Sequence, residues 1–431
     1  MPATPTELER PPRLRARVTV LEPEQAAWGL NPAAFPGEVC ALARGDAVWI
    51  GVGVAWRARW EQAPQSGAMQ AVCSDWLERL PGAPDAEFAA APWIWGGRAF
   101  FERAPVSPWT GWPAAELRVP RHLIVHAPGR TRALSLVDEP LPSPRTPGPR
   151  APGATVSCEP LPARDAWVAH AERARDAVVQ GLLNKLVPVR ASRFSSPAGG
   201  FDAARYWDAL AGAPGARYLW RSGAQTFAGR TPELLLELTD EALRTVALAG
   251  TAPRGADPER DRRLGEALLA DAKIQDEHQA VVRGIAARLR QLGLALEPPQ
   301  PPRLRRLAEA QHVETPLRAA RGQRGLWELV EALHPTPALG GEPQAAAQRW
   351  LAEHELLERG WFGAPLGWVD RRGDGAAWVT IRGALLEGAQ AWGYAGAGVV
   401  AESNPAAEWD ETELKLKPVT QALEAARGED L

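Results

Sequence analysis

A chain of 431 residues with 45% apolar and 23% charged side chains has ample material for a buried core, which excludes global disorder and a fibrous protein. Its 49 basic residues against 52 acidic ones leave a net charge of -3, which excludes nucleic-acid or membrane-surface binding by bulk charge. No apolar run approaches the ~18 residues of a spanning helix, and the opening MPATPTELERPPRLR has charges and prolines where a secretory signal needs its apolar stretch, so a cytoplasmic protein is expected.

Short β-branched and aromatic runs open the chain: RARVTV near Val18, AVWIGVGVAW from Ala47, PWIWGGRAFF from Pro92 and LRVPRHLIVHA from Leu117 read as strands. The Pro-rich segment Pro140 to Pro152 can continue neither a helix nor a central strand and reads as a surface connection. A helix is predicted around Arg164 to Asn184, leading into the apolar stretch KLVPVRAS. Strands follow at RYLWRSG from Arg217, TPELLLEL from Thr231 and LRTVALAG from Leu243. Helical patterns run from Asp261 to about Leu292, from Pro343 to about Glu358 and from Pro405 to the C-terminus. Between the last two, GAPLGWVD, AAWVTIRGALL and AWGYAGAGVV read as strands with Gly-containing turns. Without strict βα alternation, this order predicts an α+β fold with large antiparallel sheets rather than a doubly wound parallel sheet. Residues 1–160 are then the sheet-rich part of one fold, and residues 161–431 the region that carries chemistry.

Several common sites are missing from the sequence. There is no GxxxxGK[ST] loop, no HExxH and no GxSxG elbow, and neither AGAG at Ala395 nor LGG at Leu339 has the spacing of a dinucleotide site. Cys40, Cys73 and Cys158 lie far apart without CxxC spacing, which suggests neither a disulfide framework nor a zinc site. Only four of the 49 basic residues are lysines: Lys185, Lys273, Lys415 and Lys417. A lysine in such a chain becomes a candidate for work that arginine cannot do, such as losing its proton near neutral pH.

The C-terminal helix has a marked start, with Asn404 as cap and Pro405 at the first position. Glu408, Glu411 and Lys415 fall at i, i+3 and i+7 and share one face. Two carboxylates and an ammonium there fit a solvated, salt-bridged surface. On helical pattern alone that reading wins; the other is a site for a hard cation such as Mg²⁺, which takes one or two carboxylates plus waters and substrate oxygens. A partner carboxylate is then needed, and Glu277 in LLADAKIQDEHQAVV is the candidate, although a surface pair with Lys273 also explains it.

Six segments in sequence order carry a resemblance: AGTAPRG from Ala249, KIQDEH from Lys273, HPTPALGGEP from His334, RGWFGAPLGWVD from Arg359, TIRGALL from Thr380 and YAGAGVVAESNPAAEWDETELK from Tyr394. Together they resemble the chorismate-utilising enzymes, a family comprising isochorismate, salicylate, anthranilate and aminodeoxychorismate synthases. The resemblance runs from about Lys185 to Lys415. It implies two large packed antiparallel sheets flanked by helices, with Mg²⁺ and chorismate in a cleft. By motif, Glu277 and Glu411 would ligate Mg²⁺, with Glu408 as a nearby ligand, and the metal would bind the ring carboxylate. Arg382 would meet the enolpyruvyl carboxylate, where a guanidinium fork suits a planar anion, and Lys415 would add positive charge. Gly250, Thr251, Ala338 and Gly396 would line the site. His334 would either line it or serve as a hydrogen-bonded structural histidine.

Lys185 stands where anthranilate synthases resemble one another in having Gln, so the resemblance implies water rather than ammonia as nucleophile and no amidotransferase subunit. A lysine takes a proton from water when burial or nearby positive charge favours its neutral form. The other reading of Lys185 is a strand-entry residue pointing to solvent. Glu233, between Pro232 and LLL, matches the family's general acid, which must stay protonated near neutral pH to assist departure of the C4 hydroxyl. Otherwise it is a residue at a strand edge. Ala249 before GT, and GGEPQ (Gly340 to Gln344) in place of an SGxPK-like segment, resemble the isochorismate synthase form. Ile274 and Gly383 depart from the pattern. The expectation is an isomerase, a monomer, that converts chorismate to isochorismate, a starting point shared by menaquinone, siderophores and salicylate. Salicylate synthase is the alternative within the family, and a silent chorismate-binding relative the alternative outside enzymology.

Overall fold

The computed structural model describes residues 5–8, 14–21, 30–64, 66–145, 156–196, 200–212, 214–307 and 310–427. Most of the opening segment and residues 146–152 of the Pro-rich connection lie outside them. The described strands form a ten-stranded sheet, an eleven-stranded sheet and a two-stranded ribbon. All named pairings are antiparallel, as the absence of βα alternation predicts. No helix among the described residues is long and apolar enough to cross a membrane.

Strands from both sides of the Pro-rich connection share each sheet. In the larger one, β1 (Val39–Arg44) pairs with β4 (Ala216–Ser222). Between these in sequence come β2 (Ile94–Arg98), and β3 (Val189–Ser195). β2 joins the smaller sheet beside β8 (Pro365–Val369), while β3 pairs in the larger with β11 (Gln390–Gly396). Tryptophan fills the interior: twelve of the chain's 19 are below 2% exposed, Trp361 among them. Such rings bury large areas, so the motif tryptophans are structural mass first.

Two places where the chain passes from one sheet to the other position the site. β5 (Gln225–Thr231) belongs to the larger sheet and β6 (Leu234–Leu238) to the smaller, leaving Pro232 and Glu233 as the crossover. Likewise β9 (Gly375–Val379) lies in the smaller sheet and β10 (Gly383–Glu387) in the larger. AAWVTIRGALL is therefore two strands rather than one, separated by Thr380 to Arg382. The Val379 N–H donates to the Glu233 carbonyl at 3.1 Å, which fixes the two crossovers side by side.

The helices refine the expectations. The stretch from Asp261 to Leu292 divides into α1 (Pro258–Ala270) and α2 (Ala272–Gln291). Asp271 breaks it with an extended backbone (ψ 118°), and its carboxylate accepts from the Ile274 N–H at the new N-terminus. The helix after Pro343 spans Gln344–His354 and stops short of Glu358. α3 (Pro405–Ala425) begins as its sequence predicts, with the Asn404 side chain accepting from Ala406 and Ala407. A strand over Ala310–Ala320 was not anticipated and pairs along β7 (Ala242–Pro253).

Candidate active site

A cavity opens at the two crossovers, with about 820 Å³ of space including its mouth. Ten of the twelve side chains or backbone positions singled out from sequence line it: Lys185, Glu233, Gly250, Thr251, Glu277, Ala338, Arg382, Gly396, Glu411 and Lys415. They come from eight separate stretches of chain.

Lys185 sits in a two-residue strand paired with Gly341–Glu342 and is 3% exposed, so it does not point to solvent. Its ammonium donates to Glu277 Oε1 at 2.6 Å. α2 presents Glu277 to the cavity, and the neighbouring His278 turns away to Thr315 Oγ1 at 2.7 Å. On α3, Lys415 Nζ lies 2.5 Å from Glu411 Oε1 and 2.7 Å from the Gly396 carbonyl. Each of the two cavity carboxylates thus has its own lysine.

Glu233 is 5% exposed. Loss of hydration pushes its carboxyl up to about 7, against the pull of Lys185, Lys415, Arg305 and Arg382. It is a carboxylic acid that keeps its proton near neutral pH. With Glu233 neutral, the cavity sets Lys185, Arg382 and Lys415 against Glu277 and Glu411, a surplus of positive charge suited to an anion. Arg359 also borders the cavity, but Glu355 neutralises it and its guanidinium donates to the Leu339 and Val187 carbonyls, holding the wall.

Two expected residues stand elsewhere. His334 is buried behind the cavity, edge-on to Phe100 with ring centroids 5.6 Å apart, and neither ring nitrogen has a hydrogen-bond partner among the described residues. It is neither a lining residue nor the hydrogen-bonded structural histidine expected. Packing of the ring against Phe100, while Gln344 bonds its carbonyl, turns it away from the cavity. Burial, with Arg98, Arg288 and Arg359 nearby, holds it well below the usual imidazole range. Glu408 is buried one turn ahead of Glu411 on α3, outside the cavity lining.

The cavity also contains residues that sequence reasoning missed. His312, 4% exposed, contacts Thr251 Oγ1 through Nδ1 at 3.0 Å, and its Nε2 has no partner among the described residues. Burial first, then the positive charge of Arg382 and Lys415, holds it well below the usual range, so it stays neutral. Gly398 is the second. A Cβ there would lie 2.9 Å from Glu277 Oε1 and 2.9 Å from Lys185 Cε, so glycine is what lets that pair close beside the backbone. The AGAG run was its only signal.

Among the described residues no group of three His, Cys, Asp or Glu side chains converges as a self-sufficient metal site. Glu277 and Glu411, both lining the cavity, supply two hard oxygen donors, which suits Mg²⁺ completed by water and an anionic ligand.

A family profile described as chorismate binding enzyme matches residues 139–424. The salicylate biosynthesis isochorismate synthase of Pseudomonas aeruginosa is 41% identical over 273 residues, 62% of this chain and 56% of that protein. Isochorismate synthase MenF of Bacillus subtilis is 40% identical over 204 residues, 47% of this chain and 43% of that protein. The matched region thus spans about half the length of these curated relatives. The solved structure of MenF, the menaquinone-specific isochorismate synthase from Escherichia coli, superposes with a TM-score of 0.77 at 25% identity, covering 98% of this chain and 96% of that one. With the profile covering well over half of its length, the chain belongs to the chorismate-binding enzyme family.

Proposed function

We propose that the protein is an isochorismate synthase, an isomerase that adds water at C2 of chorismate as the C4 hydroxyl departs. The observation that carries this reading is the placement of Lys185 and Glu233 in one cavity, with Glu233 kept protonated to about pH 7. Lys185 takes a proton from water as its oxygen bonds to C2. The two conjugated ring double bonds both shift, to C1=C6 and C4=C5, the C4–O bond breaks, and Glu233 delivers its proton to the departing hydroxyl, which leaves as water. One water enters and one leaves, so the product is an isomer.

Lys185 donates to Glu277, so a base role requires that another group engage the Glu277 carboxylate. Glu277 and Glu411 would hold Mg²⁺, which when bound supplies positive charge for a substrate carboxylate. Arg382 and Lys415 are placed to receive carboxylate charge, and the neutral His312 and the hydroxyl of Thr251 offer hydrogen bonds beside them. The relatives' names support the same reaction. A cytoplasmic monomer acting without an amidotransferase subunit completes the proposal.

Lys185→Ala and Glu233→Ala test it. Each proton-transfer group contributes roughly 10²- to 10⁴-fold, so each variant should lose isochorismate formation by that factor while still binding chorismate. Full activity in both variants would overturn the assignment of acid and base.

A further inference from the structure

Arg382 is the one non-glycine residue with positive φ among the described residues, at 54°. Left-handed backbone is unfavourable for a residue with a Cβ and persists only where its surroundings hold it. The crossover from Thr380 to Arg382 must therefore be held from outside, and the larger sheet shows by what. In the registers of β4, β5 and β10, Tyr218 is opposite Gly229 and Gly229 is opposite Gly383. These three residues form one rung and their side-chain positions face the same side of the sheet. The two glycines leave a furrow across which the Tyr218 ring lies, fully buried. A Cβ at either glycine would collide with the tyrosine hydroxyl. That hydroxyl donates to the Ile381 carbonyl at 3.2 Å, and the Arg230 N–H donates to the Arg382 carbonyl at 3.1 Å. The carbonyl on each side of the Arg382 N–Cα bond is thus held by the larger sheet behind the cavity, Ile381 by Tyr218 and Arg382 by Arg230.

We propose that Tyr218, seated on Gly229 and Gly383, is a positioning residue that holds Arg382 in its left-handed conformation and so aims the guanidinium into the cavity. Gly383, a departure from the family pattern in sequence, is the space this tyrosine occupies. The inference rests on the proposed function for its ligand, since Arg382 is taken to receive a carboxylate of chorismate. Tyr218 does not touch the substrate. Its effect reaches the cavity through the Ile381 carbonyl.

The test is Tyr218→Phe, which removes the hydroxyl and keeps the ring, measured with wild type, Arg382→Ala and the double variant. Chorismate affinity is measured by calorimetry, turnover by product formation, and the Arg382 backbone by crystallography of wild type and Tyr218→Phe. Losing one hydrogen bond should raise Kd and KM about 3- to 10-fold, with kcat within about twofold. In the Arg382→Ala background the same substitution should change Kd no further. An unchanged Kd, or an equal loss in both backgrounds, would overturn the proposal, because a packing role alone would be indifferent to Arg382. Failure of wild type to bind chorismate would sink the functional reading instead. The crystal structures would then still decide this one: a left-handed Arg382 with an unmoved side chain in Tyr218→Phe overturns it, as does a wild-type structure in which Tyr218 does not reach Ile381.

Discussion

Replacing Glu233 by Gln keeps the size of a buried side chain and removes its titration. An exposed glutamate titrates near 4.5, whereas burial raises this carboxyl to about 7. Below pH 4.5 the group is protonated in both folded and unfolded chains, and wild type and variant differ only by local contacts. Between 4.5 and about 7 the unfolded chain gives up this proton while the folded one retains it. The unfolded state then binds fewer protons, so wild-type stability falls as pH rises and levels off above about 7. The interval corresponds to about 3 kcal/mol. Urea denaturation of both proteins between pH 4.5 and 8 should show Glu233→Gln gaining on wild type by about that amount across the range, nearly all of it between pH 4.5 and 7. The same proton should appear in catalysis as a fall in wild-type kcat/KM above about pH 7, the acid form being the active one. A stability difference that does not change with pH would refute the reasoning, since it would mean that the folded carboxyl ionises at its ordinary value.

Gly398→Ala places a methyl group 2.9 Å from Glu277 Oε1 and Lys185 Cε, and should weaken Mg²⁺ dependence about tenfold or more while leaving the melting temperature near that of wild type; a titration of activity against Mg²⁺ reads it. Arg190, fully buried on β3, lies 3.8 Å over the Trp409 ring and donates to Thr412 Oγ1 at 2.5 Å, with Glu413 as its ion-pair partner. It therefore clamps α3 on both sides of Glu411, and Arg190→Ala should cost about 2–4 kcal/mol in urea denaturation, through lost stacking, hydrogen bonding and packing.

What the sequence disclosed was mostly local. Asn404 and Pro405 mark the start of α3 because a cap and a first-turn proline act over a few residues, and the face shared by Glu411 and Lys415 follows from helical spacing. Antiparallel sheets were legible from the lack of βα alternation. The crossovers were not. AAWVTIRGALL reads as one apolar run because both of its halves are buried on two faces, and nothing local announces that Arg382 turns left-handed between sheets. The strand carrying His312 was hidden by Pro316, which argues against a strand interior, and by polar residues that become buried only once β7 lies beside it. Asp271 broke a continuous helical pattern by preferring to cap. The Lys185–Glu277 pair joins residues 92 positions apart, a contact that only folding creates. His334 looked like a site residue because it opens a recognisable motif, but the motif's backbone turn, and not its imidazole, faces the cavity through Ala338.

The most direct test of the central claim is to incubate the purified protein with chorismate, with and without Mg²⁺ and with and without ammonium, and to identify the products by chromatography and mass. The account predicts isochorismate that depends on Mg²⁺ and is indifferent to ammonium. Salicylate with pyruvate, or an aminated product, would contradict it.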